Sequence, residues 1–309
     1  MKKILLIFIT LVFYSTSVVA VEKFKFKYNF HENLPKEWIA EFKNIMNIVQ
    51  EVMPINENTN DWVKRNLAVM EPFPIYAWLN TNKDPFPEFK KNGQKFIMNE
   101  SAIMGDGQGK NWMQLKVHKQ DLTNNISMSY YVVAHEYFHI YQQALSKNTG
   151  SLSFANPKWL VEGGATVLGN IYTRQYYGKS HLKSFIQERK NWKIKKVTKE
   201  PHLYQRHKTS SKKKGYDKNY AGSAFMLLAL VNELKKNNIS EEEAFELVFR
   251  EYWIQRSKQP YDSKYWRVAF KNTFGMSVED FYKKLSKYKR KDIKKILPSK
   301  TLKIQDIFS

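Results

Sequence analysis

The chain has no cysteine, and this absence excludes two common ways of stabilising a fold or holding a metal. A disulfide framework and a thiolate metal site both require cysteine side chains. A lipobox also needs a cysteine, so the chain has none. A metal bound by this protein is therefore not held by thiolates, and we expect ligands such as His and Glu.

Acidic residues are scarce: 29 Asp and Glu stand against 51 Lys and Arg, a formal net charge of +22 over 309 residues. Low-complexity disorder is nevertheless excluded, because aromatic residues make up 15% of the chain and can bury a core. Lysine is densest at 208–218 and 283–303 and greatly outnumbers arginine, which disfavours specific phosphate recognition. We expect a solvated lysine-rich surface with weak binding to anionic surfaces and no specific nucleic-acid partner.

Long apolar runs are absent except at the start of the chain. Lys2 and Lys3 precede the short apolar stretch Ile4–Val12, and Val18–Ala20 offers small residues for cleavage. This pattern predicts a signal peptide over residues 1–20, and the apolar stretch is short for a retained membrane anchor, which is the alternative. We therefore expect an exported protein, periplasmic or secreted, with a net charge of +20 and no transmembrane segment after cleavage.

The hydrophobic pattern predicts an α+β chain in which short strands precede a mostly helical part. The first part is predicted to contain a helix over Pro35–Val52 capped by Asn33, and strands over Phe73–Leu79, Lys95–Met104 and Trp112–Val117. Later helices are predicted from Ile126, from a cap at Asn156, over Tyr220–Leu234, from a capping box at Ser240 to Tyr252, and from Ser277, with a long loop over Lys179–Lys218. We expect one two-lobed unit over residues 21–309, with an α/β lobe over about 21–150 and a helical lobe over about 151–309.

The helix that begins at Ile126 contains the motif H-E-x-x-H, which is typical of zinc peptidases. His135 and His139 are four residues apart, so both imidazoles lie on one helix face and can reach one zinc ion. Glu136 remains beside the open position of the metal, where it can accept a proton from the attacking water. A helix with two structural histidines is the alternative interpretation.

A hydrolytic zinc site needs a third protein ligand, and no third histidine follows in the H-x-x-G-x-x-H continuation. Glu162 follows His139 by 23 positions and lies on the next predicted helix, within W-L-V-E-G-G-A. A lone Glu is normally a solvated surface residue, but a carboxylate among these apolar neighbours would be costly without a cation. Gly163, Gly164 and Ala165 lack bulk, so the two helices are expected to approach closely.

Together, H-E-Y-F-H and W-L-V-E-G-G-A resemble the gluzincin zinc metallopeptidases, which include thermolysin-like and aminopeptidase N-like enzymes. The resemblance implies zinc ligands at His135, His139 and Glu162, a general base at Glu136 and a peptide or protein substrate. It also implies a small mixed sheet lobe, a helical lobe and a zinc cleft between them. Similarity to this group extends over about Trp112–Tyr288.

The segment Y-A-G-S-A-F, which begins at Tyr220, is similar to the helix start that carries an oxyanion-stabilising tyrosine in aminopeptidase N-like gluzincins. The resemblance implies that role for the Tyr220 hydroxyl, which is the kind of donor that this chemistry needs. An ordinary core or surface tyrosine is the alternative. Tyr216, His207 and His202 are further candidates for the same role.

The Gly-x-Met-Glu-Asn element, which binds the free amino terminus of the substrate in the aminopeptidases, is not evident. Met98-Asn99-Glu100 matches it only weakly. Aminopeptidase activity is therefore not supported. Strand Trp112–Val117 is predicted instead to be an edge strand that pairs with an extended peptide. A different class of function also stays open, namely an exported basic binding module with a structural or non-catalytic zinc site.

Overall fold

The computed structural model describes residues 24–55, 72–80, 86, 101–105, 111–146, 155–187, 193–205, 216–260, 262 and 264–309. The leader predicted at residues 1–20 lies outside these ranges. Among the described helices, none combines the length and the apolar character needed to cross a membrane.

One mixed sheet is formed by the described strands: β1 Phe26–Phe30, β2 Phe73–Leu79, β3 Ala102–Gly105 and β4 Asn111–Val117. The order is β1-β2-β4-β3, with β1, β2 and β4 parallel and β3 antiparallel to β4. The prediction that Trp112–Val117 is an edge strand is therefore wrong, because β4 lies between β2 and β3. Strand β3 lies at an edge of this sheet. It covers only the end of the strand predicted at Lys95–Met104. Residues 95–100 of that prediction lie outside the described ranges.

Helices make up most of the remaining described chain. They are α1 Lys36–Val52, α2 Lys119–Asn124, α3 Ile126–Ser146, α4 Lys158–Tyr177, α5 Leu182–Ile186, α6 Ile194–Lys199, a 3-10 turn at Pro201–Tyr204, and α7 Tyr216–Lys235. Towards the C-terminus, α8 Glu241–Glu246 continues through a π-helical turn at Leu247–Glu251 into α9 Tyr252–Ser257, and α10 Trp266–Phe274, α11 Val278–Leu285, a 3-10 turn at Arg290–Asp292, α12 Ile293–Ile296 and α13 Ile304–Phe308 follow. The chain is thus a mixed α+β protein, mostly helical with a small sheet, as predicted.

The loop predicted over Lys179–Lys218 is wrong for its described part. Helices α5 and α6, a 3-10 turn and the start of α7 lie within it. The short helices bury Leu182, Ile186, Ile194 and Val197, two apolar side chains each. One or two turns are too short for a 3.6-residue period to appear in the sequence.

Two of the four predicted helix caps form. Ser240 Oγ accepts a hydrogen bond from the Glu243 N–H, and Ser277 Oγ caps α11 in the same way, at 3.0 Å in each case. The two asparagines do not cap helices. Asn33 Oδ1 instead accepts from the Leu79 N–H at 3.1 Å, and Asn156 Oδ1 accepts from the Tyr252 hydroxyl at 3.2 Å, so both side chains join elements distant in sequence.

Helix α3 is the central element of the core. The Trp38 indole N–H of α1 donates to Ser129 Oγ at 3.0 Å, and the Tyr137 hydroxyl donates to the Met53 carbonyl at 2.7 Å. The described apolar side chains that are buried form one large connected cluster, which runs from the sheet to the C-terminal helices. A smaller cluster of Trp78, Phe86 and Trp112 lies apart from it.

Glycines allow α4 to approach its two helical neighbours closely. A Cβ atom on Gly164 would lie 3.0 Å from Phe138 Cε1 of α3. A Cβ atom on Gly163 would lie 2.6 Å from the backbone oxygen of Ser223 in α7, a contact that no rotamer change can relieve. The predicted close approach of α3 and α4 is therefore present, and Gly163 adds a second one towards α7.

Gly163→Ala should destabilise the protein, although alanine is the better helix former by about 1 kcal/mol. We expect the free energy of unfolding to fall by about 1–3 kcal/mol, because the new methyl group overpacks a backbone contact. Denaturant titration of the two proteins measures this difference. An unchanged or increased stability would contradict the close packing of α4 against α7.

Candidate metal centre

The histidines of the motif lie in the middle of α3, where nearly every side chain is buried. Their Nε2 atoms point to the same place and lie 3.2 Å apart. Only 5% of His135 and 9% of His139 is exposed, so neither imidazole can rely on bulk water for its hydrogen bonds. The one-turn spacing of the sequence therefore becomes a pair of converging nitrogens.

Helix α4 brings Glu162 to the same place from the opposite side. Its Oε2 atom lies 3.6 Å from the Nε2 atom of His135 and 3.5 Å from that of His139. Ligand atoms of the three residues all lie within 4.8 Å of one another, and all three residues are buried. This group can hold a metal ion in the spacing that two imidazole nitrogens and one carboxylate oxygen require. We call these three residues the metal triad.

Two further residues orient the imidazoles, and the sequence interpretation did not assign them a role. The Tyr131 hydroxyl lies 3.1 Å from His135 Nδ1, and Gln142 Oε1 lies 2.9 Å from His139 Nδ1. The Gln142 amide nitrogen donates to the Val161 carbonyl of α4 at 3.2 Å, so its oxygen is left to accept the proton of His139 Nδ1. In neutral His139 the lone pair then lies on Nε2, which faces the triad. Helical spacing is the signal that could have identified both residues.

Burial and mutual charge set the protonation of the metal triad in the absence of metal. Burial lowers the pKa of His135. Burial alone would also lower the pKa of His139, but its hydrogen bond to Glu162 and the charge of that carboxylate prevail and raise the pKa to about 9. Burial would raise the pKa of Glu162, yet hydrogen bonds from both histidines hold it well below its ordinary value. The metal-free triad is therefore a carboxylate beside one imidazolium.

A pocket of about 350 Å³ opens beside the metal triad. Its wall includes His135, Glu136 and Tyr220 together with residues of β4, α1, α2 and α5. Apolar side chains that line it include Trp38, Leu115, Val117, Val132 and Phe185. The catalytic candidates Glu136 and Tyr220 thus lie on the wall of the pocket that reaches the triad.

Tyr220 is half-buried on α7, and the centre of its ring lies 5.9 Å from that of His135. The other candidates for its role differ in position. His202 is exposed in the 3-10 turn and is not among the residues that line the pocket, while His207 lies outside the described residues. Tyr216 is the first residue of α7, one turn before Tyr220. Of the candidates whose side chains are described, His202 and Tyr220, it is Tyr220 that lines the pocket.

Metal binding should release a proton, because the imidazolium of His139 must become neutral to bind. Below pH 9 this proton competes with the metal, so the affinity should rise about tenfold for each pH unit up to roughly pH 7, above which a zinc-bound water also loses a proton. Calorimetric titration of the metal-free protein with zinc at about pH 6, in buffers of different ionisation enthalpy, measures the proton count without that contribution. About one released proton per zinc is expected. A count near zero would show that His139 is already neutral before the metal binds.

No protein-family model, no curated protein and no solved structure matches the chain. The chemistry of the site is therefore inferred from its geometry.

Proposed function

We propose that this protein is an exported zinc-dependent peptidase of the gluzincin type, which hydrolyses peptide bonds. The observation that carries the proposal is the buried metal triad of His135, His139 and Glu162, with Glu136 on the wall of the adjoining pocket. Export is supported by the leader pattern of residues 1–20.

The donor set of the metal triad suits zinc. Two imidazole nitrogens and one carboxylate oxygen are a common protein contribution to catalytic zinc sites, which leave a further position open for water or substrate. The hydrogen bonds of Tyr131 and Gln142 to the Nδ1 atoms are the supporting contacts that such ligands usually have. Because a pocket adjoins the triad, the open position would be reachable by a substrate.

In the proposed mechanism, the side chains of the chain move one proton and stabilise one negative charge. When bound, zinc would act as a Lewis acid, which lowers the pKa of water and polarises a carbonyl group. Glu136 accepts a proton from the attacking water and later delivers it to the leaving amine. The Tyr220 hydroxyl donates a hydrogen bond to the oxyanion that forms when the water adds to the scissile carbonyl.

The substrate in this proposal is an extended peptide that lies in a cleft between the small sheet and the helices. The pocket is lined from both parts, by Leu115–Val117 of β4 and by residues of α3, α5 and α7. Strand β3 is one of the two edge strands of the described sheet and is the one next to β4, which lines the pocket, so in this proposal its outer backbone groups pair with such a peptide.

A second candidate function is the basic binding module with a structural metal. The observation that favours it is a second pocket of about 490 Å³, whose wall includes four lysines, Lys236, Lys284, Lys287 and Lys295, and two acidic residues, Glu233 and Asp292. Glu233 is paired with Lys236 and Lys284, and the excess of lysine over carboxylate in this wall suits an anionic ligand. The two candidates differ in the predicted effect of a chelator: hydrolysis of peptides stops on metal removal, whereas charge-driven binding to an anionic surface persists and weakens with salt instead.

Glu136→Gln should abolish peptide hydrolysis while leaving the fold and the bound zinc in place, because the amide cannot accept the proton. We expect the rate to fall at least about a hundredfold. Cleavage of an unbiased peptide library by the protein without residues 1–20, with and without chelator, provides the assay. Full activity in this variant would contradict the assignment of Glu136 as the general base.

Glu162→Ala should lower the zinc content of the protein, because it removes one of three protein ligands. The matched control is Glu233→Gln, which alters a buried carboxylate that contacts Lys236, Lys284 and Tyr288 rather than the metal triad. Metal analysis of the purified proteins should give about one zinc per chain for the wild type and the control, and clearly less for Glu162→Ala. Equal zinc contents in all three proteins would place the metal elsewhere.

A further inference from the structure

Lys158, in the first turn of α4, is buried with 6% of its surface exposed. Lysine is almost never buried unless its ammonium group has a specific partner. The Nζ atom of Lys158 lies 5.7 Å from the centre of the Tyr220 ring, over its face. This distance is within the range of cation–π attraction, which is stronger where water is excluded.

The fold holds this pair beside the metal triad. Lys158 precedes Glu162 by four residues on α4, so both side chains extend from the same helix face. The backbone N–H of Lys158 donates to the Gln205 carbonyl at 3.1 Å, which ties the start of α4 to the end of the 3-10 turn Pro201–Tyr204. Since the Tyr220 ring also lies near His135, the contacts run from Lys158 through Tyr220 to the triad.

Lys158 and Tyr220 differ in their access to a substrate. Among the described residues, Tyr220 lines the pocket beside the triad, and Lys158 is not part of that lining. The described contact of the Lys158 ammonium beside the site is therefore with the tyrosine ring and not with the pocket.

We propose that Lys158 is a positioning residue, which holds the Tyr220 ring by a cation–π contact and strengthens its hydroxyl as a donor to the developing oxyanion. This inference rests on the proposed peptidase function. As the hydroxyl donates to an oxyanion, negative charge shifts onto the phenol ring, and the ammonium over the ring face stabilises that shift. The effect is larger in the transition state than with bound substrate, so it should appear in kcat rather than in KM.

A double-mutant cycle tests this coupling. Lys158→Met removes the charge and keeps a long apolar side chain, and we expect it to lower kcat about tenfold with KM changed less than about twofold. In a Tyr220→Phe background, which has already lost the hydroxyl, the same substitution should change kcat less than about twofold. Lys158→Arg keeps the cation and should recover most of the lost rate.

A matched control comes from a similar pair elsewhere in the chain. Lys264 Nζ lies 5.1 Å from the Tyr265 ring centre, and its side chain is 68% exposed. Lys264→Met should leave kcat and KM unchanged. Zinc content and thermal stability are measured for every variant, so that a loss of metal or of fold is recognised separately.

A binding measurement provides a readout without turnover. A phosphinic pseudopeptide mimics the tetrahedral oxyanion, and Lys158→Met should weaken its binding about tenfold while leaving the binding of a product peptide unchanged. Equal losses of kcat from Lys158→Met in the wild-type and Tyr220→Phe backgrounds, or a change confined to KM, would overturn the coupling alone. Absence of chelator-sensitive hydrolysis in the wild-type protein would instead overturn the peptidase function, and the inference with it.

Discussion

Burial of a carboxylate against two imidazoles is the constraint on which the rest of this structure depends. Glu162 and the histidines of α3 are almost entirely removed from water, and a charged group in such surroundings needs compensating partners. Without metal, a proton on His139 supplies the compensation, and with metal the cation would do so. Helices α3, α4 and α7 must pack closely enough to keep the atoms together, and Gly163 and Gly164 make that packing possible.

The same packing creates layers of support around the metal triad. Tyr131 and Gln142 fix the orientation of the imidazoles from within α3, and the bond from Gln142 to the Val161 carbonyl connects α3 to α4. Lys158 and Tyr220 extend this arrangement to α7. Helices α3, α4 and α7 hold these residues, and they contact one another through small side chains. Modest changes in the packing of these helices would therefore move the residues of the site and alter its chemistry.

The sequence predicted the features that depend on local spacing. The H-E-x-x-H helix, the following helix with Glu162, and the serine caps all follow from residues within a few turns of one another. Features set by distant contacts were missed or wrong. Strand β4 became an interior strand because β3 pairs with it, and Asn33 bonds to Leu79 instead of capping α1. The role of Lys158 appears only once Tyr220, from a helix distant in sequence, is placed beside it.

The central claim is that the metal triad binds zinc through Nε2 of His135, Nε2 of His139 and Oε2 of Glu162. Anomalous diffraction from crystals of the protein, recorded on both sides of the zinc absorption edge, tests it most directly. The account predicts one strong peak within about 2.0–2.2 Å of all three atoms. A zinc peak bound by other residues, or no peak at the triad in zinc-saturated crystals, would contradict it.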